Sequence, residues 1–550
     1  MTAPAQRGLS VAAAAGLALF TLLSYFQHPG HVFLESDTQV YLPMLERFRD
    51  PSLYQRDPMV VRAHTAFTLY DEASLGLSRL TGLEMEAALG LLHLAVRFTL
   101  LAGIFLITRA MGLSELLAVA CAGVYALGGR VLGPSVLLME IEPVPRAFAL
   151  GPVVLAVGLA GHGRYLAAGV AGAAGFLLHA TTAAPFWMVY AALLFVPDEP
   201  EEMKKRLWGL APLAAAVAIL AAASAAQPGV LERQALLSRL DESWESLIRL
   251  RATYVYVSLW PSRAFWQYGV MLVVMALAAR RLRPFMQPPL RFLLAGLVTL
   301  AVLSVPATWL FLEKGRWAMM PQWQPGRAVL FLQMTAMLLA LVMAFELACK
   351  EGRMLAAWFW AALGLSAGIQ PRTLGEAFPA VALGGLLVAA AEVSVKRRAA
   401  GAATVIAVVA AAFFVIAGEL RLHWSGERPH PELADLSRWS RDNTDKNAVF
   451  LFADAGRALD PGVFRARSRR AVYVDWKSGG QINFFREFTR LWWSRWQQTM
   501  AEPFRPERVP GLGDLGIDYL VLDPRNRIAD RKPAWENSRY VVYEISASGW

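Results

Sequence analysis

Two carboxylates one residue apart, Glu35 and Asp37 in "LESDTQVY", lie just beyond the first long apolar run of the chain. Alternate side chains of an extended segment face the same way, so this spacing predicts that both carboxylates share one wall. A second pair with the same spacing, Glu140 and Glu142 in "LLMEIEPVPRAF", is followed by Arg146 at the start of another apolar run. Carboxylates converging at the mouth of a helical bundle can accept a proton from an attacking hydroxyl, or hold a divalent cation through oxygen ligands. Asp37 is the first choice for the base, with Glu35 beside it, and Asp37 with Glu142 for a bound Mg or Mn ion. The plainer alternative for the second pair is an ion pair between Glu142 and Arg146 that fixes a loop. Glu46, Asp50 and Asp57, further along the first stretch, read as solvated charges that shape it.

The elements that must position these groups are membrane helices. Of the 550 residues, 56% are hydrophobic and only 17% charged, against about a quarter charged in soluble domains. Crossing a bilayer takes about 20 apolar residues. Runs near 9–27, 86–108, 114–134, 145–161, 207–226, 264–280, 291–312, 327–348, 354–370, 378–395 and 401–421 qualify. The stretch 165–197 is too long for one crossing and is broken at "HATTAAPFW", so it reads as a hairpin of two short helices. Together these make about 13 spans. The formal charge of +10 does not call for nucleic acid, because much of it falls in alternate short loops. Arg109, Arg164, Lys204 to Arg206, Arg280 to Arg283, Lys350 with Arg353, and Lys396 to Arg398 all land on one side if the amino terminus is cytoplasmic. The carboxy terminus is then outside. The long first loop, 28–85, faces the same exterior.

Composition changes abruptly near the end. "NAVFLFAD", "RAVYVDW", "IDYLVLD" and "RYVVYEI" are short β-type runs, with helical patterns at about 431–443 and 483–500. This predicts a small α/β domain at 425–550 behind a membrane domain at 1–424. The two cysteines, Cys121 and Cys349, both lie in apolar runs and exclude a disulfide framework. No phosphate-binding GxxxxGK[ST], HExxH, GxSxG or CxxC pattern is present, which disfavours an ATP-driven pump, a zinc protease and a lipase.

With Glu35-Ser-Asp37, Glu140-Ile-Glu142 and this topology, the chain resembles the GT-C superfamily of integral membrane glycosyltransferases. "DPSLYQRDP" and "FRARSRRAVYVDWKSG" also resemble a bacterial membrane family usually compared with those enzymes. The resemblance implies an α-helical polytopic membrane protein with a C-terminal extracytoplasmic α/β domain, placed in a bacterial cytoplasmic membrane. It also implies a polyprenyl-phosphate-linked sugar donor and a first-loop carboxylate acting as general base or metal ligand. Sugar would pass to a lipid, glycan or protein acceptor. The departing phosphate needs cations, preferably guanidinium forks. "EKGRWAMMPQWQPGRAV" offers Arg316 and Arg327, and Arg146 is a third. Tyr41, Glu140, Glu142 and His179 are the remaining expected substrate contacts, His179 at the break of the short hairpin. Arg249, Arg251, Tyr254, Tyr256 and Trp260 suit a surface helix that guides sugar or prenyl chain. The Trp residues of "RLWWSRWQQ" are expected to dock the tail on the membrane domain.

A transporter or flippase of a lipid-linked or anionic substrate is the main alternative. It would need polar groups deep in several spans, and these are scarce apart from Arg97, Arg146 and Glu346. A scaffold that only presents the tail domain would leave both acidic pairs unexplained.

Overall fold

A computed structural model describes residues 10–62, 67–226, 235–369, 374–396, 398–418 and 431–545. The expected domain boundary at 424/425 and His64 lie outside these residues. Six described helices are long and apolar enough to cross a membrane: Met85–Ala110, Pro200–Ala225, Ser262–Phe285, Pro288–Lys314, Met320–Lys350 and Glu376–Lys396. Shorter apolar helices pack among them, including Val11–Phe26, Glu115–Ala126 and Pro145–Gly161. The chain is a multi-pass membrane protein. The stretch 165–197 folds as expected into two short helices, Tyr165–Leu178 and Ala180–Leu193, with His179 between them.

Small residues let the central helices approach closely. A Cβ on Gly151 would lie 2.4 Å from the Val96 carbonyl, and one on Gly103 2.5 Å from the Leu155 amide. Pro145–Gly161 is thereby seated against Met85–Ala110, and Arg146 enters at its first turn. The helix Val329–Lys350 runs through the middle of the bundle and is buried almost throughout. A two-residue ribbon, β1 (Arg130–Val131) with β2 (Val136–Leu137), caps the bundle beside it.

The tail forms a five-stranded sheet in the order β4-β3-β5-β7-β6, from β3 (Val449–Phe452), β4 (Ala471–Val472), β5 (Tyr519–Leu522), β6 (Trp535–Glu536) and β7 (Val541–Glu544). β3 is parallel to both β4 and β5, while β7 runs antiparallel to β5 and β6. The helices Pro431–Asn443 and Arg486–Thr499 fall where the apolar periodicity put them. A further helix, Asp460–Ser468, precedes β4.

Tail and membrane domain share one core. Trp492 and Trp496 belong to one buried cluster with Trp244, Ile248, Leu312 and Met320 of the membrane domain. Polar pins cross the same seam. Trp244 Nε1 donates to the Ile482 carbonyl (2.8 Å), Gln481 Nε2 to the Met59 carbonyl (2.8 Å), and Tyr54 Oη to the Arg465 carbonyl (3.0 Å). Asp57 is not the solvated loop charge that its sequence context suggests. It is fully buried and accepts from Arg465 Nε at 2.7 Å, while Arg465 also donates to buried Asp475. Burial alone would raise the Asp475 carboxyl, but Arg465 more than offsets this and holds it below the usual range.

Candidate active site

The site begins with an unusual helix start. Asp37 is the N-cap of Thr38–Arg49, a position where Asp normally caps its own helix, yet its side chain makes no capping bond. Glu142, from the next long loop, does this work instead. Its carboxylate accepts from the amides of Ser36 (2.6 Å) and Asp37 (2.6 Å) and from Thr38 Oγ1 (2.8 Å). An anion at a helix N-terminus is electrostatically favoured, and the amides at the entrance to this helix are satisfied from outside. Asp37 is thereby released to face inward. Pro143 and Pro145 fix the Glu142 loop, with Pro145 opening the following helix.

The released carboxylate meets two cations. Arg146 Nη1 lies 2.6 Å from one Asp37 oxygen, and Lys477 Nζ, from the tail, 2.7 Å from the other. Arg146 also binds Glu140 in a fork, through Nε at 2.8 Å and Nη2 at 3.2 Å. The result is an alternating chain, Glu140–Arg146–Asp37–Lys477. Burial pushes the Asp37 carboxyl up, but Lys477 and Arg146 together overcome this and hold it well below the usual carboxylate range. Asp37 is therefore ionised at neutral pH and, in this state, a weak base.

Two cavities meet here. The polar one, about 850 Å³, is lined by Asp37, Tyr41, Arg146, His179, Arg251, Tyr254, Arg327 and Lys477 among others. Four cations face one carboxylate in that lining. The second, about 470 Å³, is almost wholly apolar, with Leu150, Met188, Leu300, Leu303, Ala307 and Phe331 in its wall. Arg146, Thr181, Trp323, Gln324 and Arg327 line both. Arg327 stands over the Tyr254 ring at 5.5 Å. Its buried Nε has no hydrogen-bond partner among the described residues. An unsatisfied guanidinium donor costs free energy where it is dry, so this corner is prepared for an anionic acceptor.

The structure brings Asp37, Tyr41, Arg146, His179 and Arg327 together in the polar cavity, sets Glu140 and Glu142 beside them as supports, and leaves Glu35 and Arg316 out of its lining. Glu35 does not share the wall with Asp37. Leu34 takes a left-handed backbone conformation (φ 65°) that breaks the extended run, and Glu35 points to solvent, outside the cavity lining. Arg316 lines neither cavity; it is half exposed and paired with Glu245 at 3.0 Å. Glu142 is a clamp on the backbone and Glu140 an orienting partner of Arg146; the ion pair expected between Glu142 and Arg146 forms with Glu140 instead. His179 caps its own helix, accepting from the Thr182 amide at 3.3 Å, while its ring lines the polar cavity.

Asp37 with Glu142 does not fit a divalent cation. Both Asp37 oxygens are taken by cationic donors and the Glu142 oxygens by amides and a hydroxyl. Among the described residues no group of three or more His, Cys, Asp or Glu could hold a metal ion.

Sequence reasoning did not place Arg251, Tyr254 and Lys477 in one cavity with Asp37. Arg251 Nε donates to the Trp476 carbonyl at 2.8 Å and stacks over its ring, which fixes the residue next to Lys477. The only local signal was the density of Arg, Tyr and Trp in both segments.

No protein-family model and no curated protein matches the sequence. By structure the chain is similar to ArnT from Cupriavidus metallidurans in the apo state (13% identity, 98% of each chain, TM-score 0.47). It is similar to the same protein bound to undecaprenyl phosphate (13% identity, 98% of this chain and 97% of that one, TM-score 0.46). Arabinofuranosyltransferase AftD from Mycobacteria matches with 16% identity over 94% of this chain and 35% of its own, TM-score 0.46.

Proposed function

We propose that the protein is a membrane glycosyltransferase that moves a sugar from a polyprenyl-phosphate donor to an acceptor hydroxyl at the extracytoplasmic face of a bacterial cytoplasmic membrane. One observation carries the reading: an apolar cavity and a cation-rich cavity share Arg146 and Arg327 at their junction. That is the shape of a ligand with a hydrocarbon tail, an anionic joint and a polar head. Neither a free sugar nor a simple anion would need the apolar half.

The residues then divide the chemistry. The prenyl chain lies along Leu300, Leu303 and Phe331, and the phosphate meets Arg146, Arg327 and Lys477. The acceptor oxygen attacks the anomeric carbon, and the bond from that carbon to the phosphate oxygen breaks. The bonding pair leaves with the phosphate, and the acceptor proton passes to Asp37. Before the donor arrives, Lys477 and Arg146 suppress the basicity of Asp37. Phosphate oxygens compete for the same donors, so binding the donor draws the cations away and restores a base of ordinary strength. Asp37 becomes competent only when there is something to transfer, which protects the donor from wasteful attack. No metal is needed in this scheme.

The test uses purified protein in nanodiscs with a panel of polyprenyl-phosphate sugars and follows release of free polyprenyl phosphate. Wild type releases it and folded Asp37→Asn does not. Release at the wild-type rate by Asp37→Asn would remove the base from the mechanism. Substrate flux across a proteoliposome membrane with no release would favour a transporter.

A further inference from the structure

The tail sheet carries a second crevice that glycosyl transfer at Asp37 does not use. The order β4-β3-β5 begins a doubly wound sheet. From β3 the chain turns to β4 on one side, and it returns to β5 on the other. The loops leaving the carboxyl ends of β3 and β5 therefore diverge, and open α/β sheets bind ligands in the gap so formed. A cavity of about 580 Å³ lies there, with Asp454 from the end of β3 and Asp523 from the end of β5 in its wall. This is within the range of small-ligand clefts, about 300–1,000 Å³.

The chemistry of the lining selects a ligand class. Asp523 is held in a fork by Arg525 (2.9 and 2.8 Å), and Asp460 accepts from Arg539 (3.1 Å) and Tyr540 Oη (2.8 Å). Asp454 accepts from the Asp523 amide (2.7 Å) and Asn526 Nδ2 (2.8 Å). Three carboxylates face two guanidiniums that are already paired, so the excess is negative and a phosphate is repelled. A divalent cation lacks a ligand set, as at Asp37. What remains is a rim that offers both donors and acceptors, among them Asn526, Ser538, Tyr540 and the three carboxylates. A hydroxyl both donates and accepts, so a polyol satisfies such a rim without leaving a charge unpaired.

Placement gives the crevice a purpose. Asp454 and Ala458 line it, and between them Arg457 lies over the Trp476 ring at 4.3 Å. The next residue is Lys477, on Asp37. One short loop thus walls the crevice on one side and, through Arg457, packs on the residue next to Lys477 on the other.

We propose that this crevice is a binding site for a neutral polyhydroxylated chain, and that it holds the distal part of a carbohydrate acceptor while the near end reaches Asp37. The ligand's role as acceptor rests on the glycosyltransferase reading; the binding site does not.

The test titrates full-length protein in nanodiscs with short neutral oligosaccharides, followed by saturation-transfer NMR. At least one oligosaccharide binds wild type. Ala458→Trp fills the crevice and abolishes that binding. Asn526→Ala with Ser538→Ala, both at the exposed rim, weakens it about tenfold. Asp37→Asn leaves it unchanged. Binding that survives Ala458→Trp, or is lost in folded Asp37→Asn, would put the sugar elsewhere and overturn the site. So would the absence of binding by every oligosaccharide, or displacement of bound sugar by inorganic phosphate. If crevice binding holds while no donor releases polyprenyl phosphate, the transfer reading fails and the binding site stands.

Discussion

Replacing Lys477 by Met keeps the length and apolar stem of the side chain and deletes one charge from the candidate site. The lysine side chain is 13% exposed, and Nζ touches Asp37 Oδ1 at 2.7 Å and Ser36 Oγ at 2.9 Å. Its contacts are thus little screened by solvent. A hydrogen bond to a charged partner contributes about 1.5–3 kcal/mol, which at about 1.4 kcal/mol per decade is roughly a 10- to 150-fold effect. In the proposed mechanism that bond passes from Asp37 to the donor phosphate, so the loss falls on kcat/KM for the donor. A second effect has a definite sign. Without Lys477, only Arg146 opposes the upward push of burial on Asp37. The acid limb of the pH–rate profile therefore moves to higher pH in the variant. The assay is polyprenyl-phosphate release across a pH series, for wild type and Lys477→Met side by side. An unchanged kcat/KM together with an unmoved acid limb would refute the reasoning and reduce Lys477 to a docking contact.

Further outcomes follow from the same geometry. Arg465→Met strands Asp57 and Asp475, both fully buried, and removing one partner of a buried ion pair costs about 3–5 kcal/mol. Thermal unfolding in nanodiscs should show it, with partial recovery when Asp57→Asn and Asp475→Asn are added. Ala307→Trp should raise KM for a long-chain donor far more than for a short-chain analogue, because the indole occupies the apolar cavity. Glu35→Gln should leave transfer within about twofold of wild type, a change of under roughly 0.5 kcal/mol, since that side chain points outward. The depressed Asp37 carboxyl makes its ion pairs a stabilising term present above the ordinary value of 3.8 and lost as pH falls through the lower folded value. The Tm difference between wild type and Asp37→Asn should accordingly be flat from about pH 5 to 8 and shrink below about pH 4.

Much of the architecture was legible because apolar length and period are local signals. The hairpin break at His179, the four β-type runs of the tail and its two expected helices all lie where the pattern placed them. Asp37 and Arg146 were legible for a related reason: ionisable groups at the edge of apolar runs are costly and seldom idle. Glu35 misled because the two-residue period holds only in extended backbone, and the left-handed turn at Leu34 leaves no trace in composition. Asp57 misled because it reads alone as a solvated charge, and its partner Arg465 lies in a distant segment of the tail. Their partnership spans 408 positions, and no local pattern reports it. Lys477 was hidden in the same way, with nothing in its own segment to connect it to the first loop.

The contact between Asp37 and Lys477 joins residues 440 positions apart, and that separation sets an order of events during biosynthesis. The first loop is made early, and its carboxylate must wait for the last part of the chain to supply a counter-cation. Domains fold largely as they emerge, so the membrane helices are in place before the tail that completes the site exists. A chain stalled before the tail would carry the apolar cavity and Asp37 without Lys477. Only a chain that includes both the first loop and Lys477 holds every group the proposed chemistry requires.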